Sequence, residues 1–342
     1  MIKKILETFL NSNKKIAKDH QDIEINNILK IKNIKNFDTI DSKNFVDIPA
    51  SCPGVLLPLK NVGISHRKHK IKIKDIFDSS KNLEVEVNLE IFFDLPKNQR
   101  GLHMSRIEKA MQRYQNNYLD LKSYSSNLIK YAAELQNRNK GKLKLEFNYE
   151  KFINKNSSGR GSHEIIKILL FTIFNKNKIK HKLGMQVPFM NACPCPQRWS
   201  IREAVYYLRN LGFFDDEIYK IINPLNFGTH TNLGEATIII EDLNNNLNYN
   251  DIYEILNTSV LIVRELLSGK DEFEFIKQSL IKEQFCEDVA REITKNFIDN
   301  LGNKLNPESL LEIEVNVNES IHFHNLRVKI KEKIKDIIDG LK

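Results

Sequence analysis

The chain has 342 residues, 41% of them apolar, with a formal net charge of +8, enough to bury one large core or two ordinary ones. Its longest nearly unbroken apolar run, Ile165–Phe174, is interrupted by Lys167 and is far shorter than the roughly 20 residues that cross a bilayer. The N-terminus, Met1-Ile-Lys-Lys-Ile-Leu-Glu7, turns polar too early for a signal segment, so no membrane partner and a cytoplasmic location are expected. The lysines are dispersed through a chain rich in Asn and Ile, which argues against nucleic acid as the partner. Four cysteines, two of them in Cys193-Pro-Cys195, do not make a disulfide framework and read as site chemistry.

Residues 1–45 alternate short apolar pairs with Lys and Asn and contain no Gly or Pro; a terminal helix plus an extended arm is predicted. Two similar blocks follow, expected over 46–178 and 179–342. In the first, Ser65–Ile76 and Leu83–Leu95 alternate apolar and polar residues as half-buried strands do. Met104–Asn117 and Ser125–Arg138 have helical spacing, and Leu143–Phe152 and Glu164–Asn175 return to strand.

The second block reads as strand Lys180–Phe189, a helical insertion, strand Ala236–Asp242, helices Asp251–Leu267 and Leu280–Leu301, and strands Leu310–Val317 and Ser320–Lys331. Ser200-Ile-Arg-Glu203 has the pattern of a capping box, Asn250 is a candidate N-cap, and Gly212, Gly269 and Gly302 stand where helices would stop. Phe285, Val289, Ile293 and Phe297 at i+4 spacing form a predicted buried stripe, off which Glu287 falls. Each block is ββααββ, giving an α+β chain of antiparallel sheets with helices on one face. The sheets' other face and edges need partners, which invites a barrel closed by several copies.

The chemistry-bearing residues fall in the second block. In Asn191-Ala-Cys-Pro-Cys-Pro-Gln197, prolines on both sides of Cys195 suit a rigid loop presenting thiolates. Because zinc half-sites generally use Cys-x-x-Cys, this Cys-x-Cys is read as supplying one ligand, not two. His230 sits in a polar turn before a strand; Glu272, in Gly269-Lys-Asp-Glu-Phe273, is read just past a helix end; Glu287 follows Phe285-Cys286. His322 and His324 are placed in a terminal strand, where i and i+2 share a face and Phe323 packs on the other, an arrangement for proton transfer or metal ligation. One thiolate, one imidazole and one carboxylate leave a position open for water, the layout of a catalytic metal centre.

These motifs, in this order, resemble the GTP cyclohydrolase I type IB family, which has a bacterial folate branch and an archaeal methanopterin branch. Leu95-Pro-Lys-Asn-Gln-Arg-Gly-Leu-His-Met-Ser-Arg106 is similar to the family's Leu-Pro-x-Asn-Gln-x-Gly-x-His-Met-Ser-Arg segment. Cys193-Pro-Cys195, Gly228-Thr-His230, Asp271-Glu272, Phe285-Cys-Glu-Asp288 and Ser320-Ile-His-Phe-His324 resemble its later motifs. The resemblance implies a tandem tunnelling fold, assembly into a homotetramer with sites between subunits, and opening of the guanine ring of GTP with release of formate, the first step of folate or pterin biosynthesis.

It also implies the residue roles. Cys193, His230 and Glu272 would hold one divalent ion, Zn²⁺, Fe²⁺ or Mn²⁺. Glu287 would accept hydrogen bonds from the guanine N1–H and 2-amino group, His103 and Arg106 would contact substrate, and His322 and His324 would move protons.

Two departures stand out: the family's His-Asn-Gln-Arg is His230-Thr-Asn-Leu233 here, and a helical insertion spans Ile201–Leu225, a feature that looks more like the archaeal branch. The product is therefore either dihydroneopterin triphosphate or its 2′,3′-cyclic phosphate. The alternatives are a metal-independent nitrile reductase of the same fold, and a non-catalytic basic RNA-binding or zinc-stabilised scaffold.

Overall fold

The computed structural model describes residues 47–154, 159–265 and 268–341; the predicted N-terminal helix and arm over 1–45 lie outside them. A small part comprises residues 47–56 and Lys97–Gly101, in which the Arg100 amide donates to the Ser51 carbonyl (2.9 Å) and the Gly101 amide to that of Pro49 (3.0 Å). The larger part, Leu57–Pro96 with the chain from Leu102 onward, contains every element named below.

The first block is β1 (Leu59–Lys74), β2 (Asn82–Leu95), α1 (Met104–Tyr114), α2 (Leu121–Leu135), β3 (Lys140–Ile153) and β4 (Ser162–Asn175). In the second, β5 (Lys178–Ala192) is followed by the inserted helices α3 (Pro194–Asn210) and α4 (Asp215–Ile222) and by β6 (Thr231–Asp242). Then come α5 (Tyr249–Ser259), the two-residue β7 (Leu261–Ile262), α6 (Gly269–Ile281), α7 (Cys286–Leu301), β8 (Leu310–Asn318), β9 (Leu326–Lys333) and the short α8 (Ile334–Gly340). All pairings between strands are antiparallel, and one sheet runs β1-β2-β3-β4-β5-β6-β8-β9, with β7 pairing β5. This is the α+β architecture of two ββααββ units in tandem, the tunnelling fold that the resemblance implied.

The period-2 pattern decides which face the helices cover. Val87, Leu89, Ile91 and Phe93 of β2 and Leu183, Met185, Val187 and Phe189 of β5 are buried and join one core with Leu128, Ile129, Ile293 and Phe297 of the helices. Lysines and glutamates on the opposite face of β3, β5, β6, β8 and β9 form ion pairs along and across the strands: Lys144–Glu146 (2.7 Å), Lys182–Glu241 (2.8 Å) and Lys331–Glu312 (2.9 Å). Each such partly exposed pair adds little stability. Sheet continuity across the two blocks depends on the tight β4–β5 hairpin, whose central residues Lys176 and Asn177 have φ of 47° and 68°, the left-handed pair that matches strand twist. The boundary expected at 178/179 lies one residue inside β5.

Several expected boundaries are corrected. Ser200 does not cap a helix: α3 begins six residues earlier, and Ser200 lies inside it with its hydroxyl on the Pro196 and Gly228 carbonyls. Asn248, not Asn250, caps α5 in a reciprocal capping box with Asp251. The expected helix Asp251–Leu267 stops at Ser259, because the cap Val260 turns extended and Leu261 and Ile262 join β5; residues 266 and 267 lie outside the described set. Gly269 opens α6 behind the cap Ser268, and the predicted helix from Leu280 is two helices joined through residues 282–285. Gly302 is an α7 cap with ordinary helical φ (−52°) leading into a 3₁₀ turn, whereas Gly212 does adopt φ of 91° just past α3. Among the described residues no helix is long and apolar enough to cross a membrane.

Candidate functional site

The β5–β6 register builds the site. Asn191 and Ala192 at the end of β5 face Asn232 and Thr231 at the start of β6, so the next residue on each strand, Cys193 and His230, must also meet. The Cys193 amide donates to the His230 carbonyl at 3.1 Å, and the Thr229 hydroxyl donates to the Cys193 carbonyl at 2.7 Å. Two residues 37 apart in sequence become neighbours by extension of a strand ladder.

The Cys193–Gln197 segment is a helix start and not the loop expected. Cys193 is the N-cap of α3 and Pro194 its first residue, where the missing amide costs nothing and the fixed φ is already helical. Gln197, buried, donates to the carbonyls of Leu280 (2.7 Å) and Phe227 (3.4 Å), and Asn191 donates to that of Gln284 (3.1 Å). These bonds dock α3, the turn before β6 and the end of α6 on one another. Burial raises the Cys193 thiol above its ordinary value, an effect that the amide of Cys195 partly offsets and that the Cys195 thiol and the Glu319 carboxylate reinforce. Becoming a thiolate there favours a cation alongside.

His230 is held from one side. Its Nδ1 lies 3.3 Å from Asn232 Oδ1 and 3.2 Å from Ser320 Oγ. Asn232, buried at the start of β6, also donates through Nδ2 to Glu319 Oε1 (3.0 Å) and accepts the Ser320 amide at Oδ1 (2.9 Å). The His322 ring stands 6.4 Å from that of His230, nearly perpendicular, and the His324 ring 5.2 Å from that of His322. Three imidazoles thus form a row.

His322 and His324 do not lie in a strand as expected. Residues 319–325 form a bent connection between β8 and β9, both histidines are exposed, and Phe323, expected to pack on an opposite face, is fully exposed. Loop geometry, not strand alternation, puts the two rings together.

The other predicted residues are placed as follows. Glu287 is exposed in the first turn of α7, beside the buried Cys286, whose thiol burial pushes up to about 11 with help from Glu287 and Glu319. Of the stripe predicted on this helix, Val289, Ile293 and Phe297 are buried, while Phe285 is the N-cap and partly exposed. Glu272 is not past a helix end but in the first turn of α6. It is exposed, while its neighbour Asp271 is buried and accepts a hydrogen bond from the capping Ser268 hydroxyl at 2.9 Å. His103 is the N-cap of α1, its peptide clamped by Gln136, which donates to its carbonyl (2.7 Å) and accepts its amide (3.2 Å). Arg106 donates to the Leu135 carbonyl at the end of α2 (3.0 Å). Leu233, which stands where the related motif has arginine, is exposed on β6.

A divalent ion is tested against these donors. Cys193 and His230 fit: they adjoin, and a hydrogen-bond partner on Nδ1 that leaves Nε2 for the ion is common among ligating histidines. Glu272 is not brought to them, and among the described residues no group of three His, Cys, Asp or Glu side chains converges to hold a metal ion. Sequence reasoning missed Asn232, Glu319 and Ser320 as a connected network; a polar residue two places after a candidate ligand is only a weak signal.

Over residues 45–327 the chain matches the family model described as Type I GTP cyclohydrolase folE2. It is 27% identical over 310 residues to the GTP cyclohydrolase MptA of Methanococcus maripaludis (strain C5), covering 86% of this chain and 98% of that protein. To the MptA of Methanococcus aeolicus it is 29% identical over 324 residues, covering 87% and 100%, and to that of Methanocaldococcus jannaschii 28% over 285 residues, covering 80% and 90%. Among solved structures, uricase from Arthrobacter globiformis aligns with a TM-score of 0.45 at 7% identity, covering 82% of this chain and 95% of that one.

Proposed function

We propose, from the premise that this chain belongs to the type I GTP cyclohydrolase family, that it is an enzyme that hydrolyses the imidazole ring of the guanine of GTP and releases C8 as formate. The observation that carries the reading is the meeting of Cys193 and His230 across the β5–β6 ladder, with the rings of His322 and His324 in a row beside them.

In this reading Cys193, His230 and Glu272 hold one divalent ion, Zn²⁺, Fe²⁺ or Mn²⁺, which would make hydroxide available near neutral pH. Glu287 at the start of α7 accepts the guanine N1–H and 2-amino protons and sets the ring's orientation. One water adds to C8, a proton goes to the ring nitrogen as the C8–N9 bond breaks, and a second water cleaves the resulting formamide to formate and an amine. His322 and His324, exposed and adjacent, deliver and collect those protons. His103 and Arg106 contact the substrate from the first block.

Glu272 faces solvent, apart from the Cys193–His230 pair. That supports a site completed on assembly, as a homotetramer whose sheet edges β1 and β9 pair between copies. The pterin product is dihydroneopterin triphosphate or its 2′,3′-cyclic phosphate, entering folate or pterin biosynthesis.

The test is anaerobic incubation of metal-stripped protein with GTP, with and without Mn²⁺, Fe²⁺ or Zn²⁺, following formate and the mass of the pterin. Metal-dependent formate that is lost in folded Cys193→Ala and His230→Ala variants supports the reading, and the mass identifies the product. Formate absent with every metal refutes it.

A further inference from the structure

The hydrogen bonds around Asn232 determine where the proton on His230 sits. A backbone N–H can only donate, so the Ser320 amide at 2.9 Å identifies the Asn232 atom it meets as the oxygen. The Glu319 carboxylate, which in its ionised form can only accept, lies 3.0 Å from the other atom, which must be the NH₂. Both neighbours therefore fix the same amide orientation, and a flipped amide would break two bonds at once. With Oδ1 facing His230 Nδ1 at 3.3 Å, the imidazole must donate there. The Ser320 hydroxyl oxygen, 3.2 Å from the same nitrogen, is a second acceptor. Neutral His230 is thus the Nδ1–H tautomer, and its Nε2 carries the lone pair.

Asn232 is almost completely buried and starts the strand that pairs with Asn191 of β5, two residues before Cys193. It therefore rests on a rigid ladder, while the Glu319–Ser320 corner it grips opens the connection carrying His322 and His324. One side chain joins three segments.

We propose that Asn232 is the positioning residue of this site. It holds the His230 ring with Nε2 presented to a divalent cation, and it ties the loop of His322 and His324 to that ring. The proposal rests on the reading of His230 as a metal ligand, but its test does not need turnover.

The full-length, metal-stripped protein is examined at pH 8 by long-range ¹H–¹⁵N correlation of its histidine rings, and Zn²⁺ affinity is measured by competition with a chromophoric chelator. The Nδ1–H pattern is expected for His230. Asn232→Leu should mix the tautomers and weaken Zn²⁺ by about 10–100-fold, whereas Ser320→Ala should retain the tautomer and nearly all the affinity. An Nε2–H pattern in the unmodified protein, unchanged tautomer and affinity in Asn232→Leu, or loss of the tautomer in Ser320→Ala would overturn the proposal. If Asn232→Leu fails to fold, the unmodified protein and Ser320→Ala still decide. Failure of the cyclohydrolase reading alone would appear as absent formate with the tautomer and Zn²⁺ binding intact.

Discussion

His181 is a buried histidine whose proton positions can all be assigned, and it should make the fold acid-sensitive. On β5 it faces the helices, with Nδ1 3.2 Å from Thr172 Oγ1 and Nε2 3.1 Å from Ser126 Oγ. Thr172 donates its own proton to Ser125 Oγ (2.8 Å), which donates to the Lys122 carbonyl (2.9 Å). Thr172 can therefore only accept from Nδ1–H, and Ser126 donates to Nε2. Neutral imidazole is fully satisfied, whereas a second ring proton would force the Ser126 hydroxyl to turn from donor to acceptor and would place a positive charge in a buried setting close to the Lys122 ammonium.

Burial first, and Lys122 second, lower the His181 pKa to about 4 from an ordinary 6.5. Because the folded value is depressed, the stabilisation is complete above pH 6.5 and is lost as pH falls toward 4. Between pH 8 and pH 4.5 the linkage relation gives a loss of about 2.5 kcal/mol. The assay is urea denaturation of the unmodified protein and of His181→Gln at both pH values and at one fixed protein concentration, since assembly also contributes. The unmodified protein should lose about 2.5 kcal/mol more than the variant. Equal losses within about 0.5 kcal/mol, or an NMR titration of His181 near its ordinary value, would refute the argument.

Lys122→Met leaves Asp242, whose carboxylate is fully buried, without its cation at 2.6 Å, though the amides of Asn246 and Leu247 still donate to it; a cost of about 3 kcal/mol is expected, read as the urea midpoint. Phe297→Ala empties a fully buried position on α7 and should cost about 3–5 kcal/mol by the same measurement. If Glu287 receives the guanine edge, Glu287→Gln should lower kcat/KM for GTP by about 10–100-fold while leaving Zn²⁺ affinity unchanged, because one acceptor becomes a donor facing a donor. An unchanged kcat/KM would remove Glu287 from substrate recognition.

The alternation in Leu83–Leu95 and Glu164–Asn175 and the i+4 spacing of Val289, Ile293 and Phe297 reached the right elements from local chemistry alone, because burial of one face imposes its period on the residues. The same holds for the order of strands and helices in the two blocks. Boundaries set by competition between local preference and tertiary contact were not legible. Ser200 has the sequence of a cap yet sits inside α3, because the Gln197 and Ser200 side chains bond to carbonyls distant in sequence. The helix expected through Leu267 ends at Ser259 because β5 offers a ladder to Leu261 and Ile262.

The site divides the same way. Sequence named Cys193 and His230, but only the β5–β6 register makes them neighbours. It named His322 and His324 with the wrong reason, since a bent loop and not strand alternation pairs their rings. Asn232, the residue that joins these parts, has only the weak signature of a polar residue two places after His230. Residue type and spacing determine which groups can do chemistry and which faces are buried; the relative placement of segments far apart in the chain is decided by strand register and hydrogen bonds that exist only once the sheet has formed.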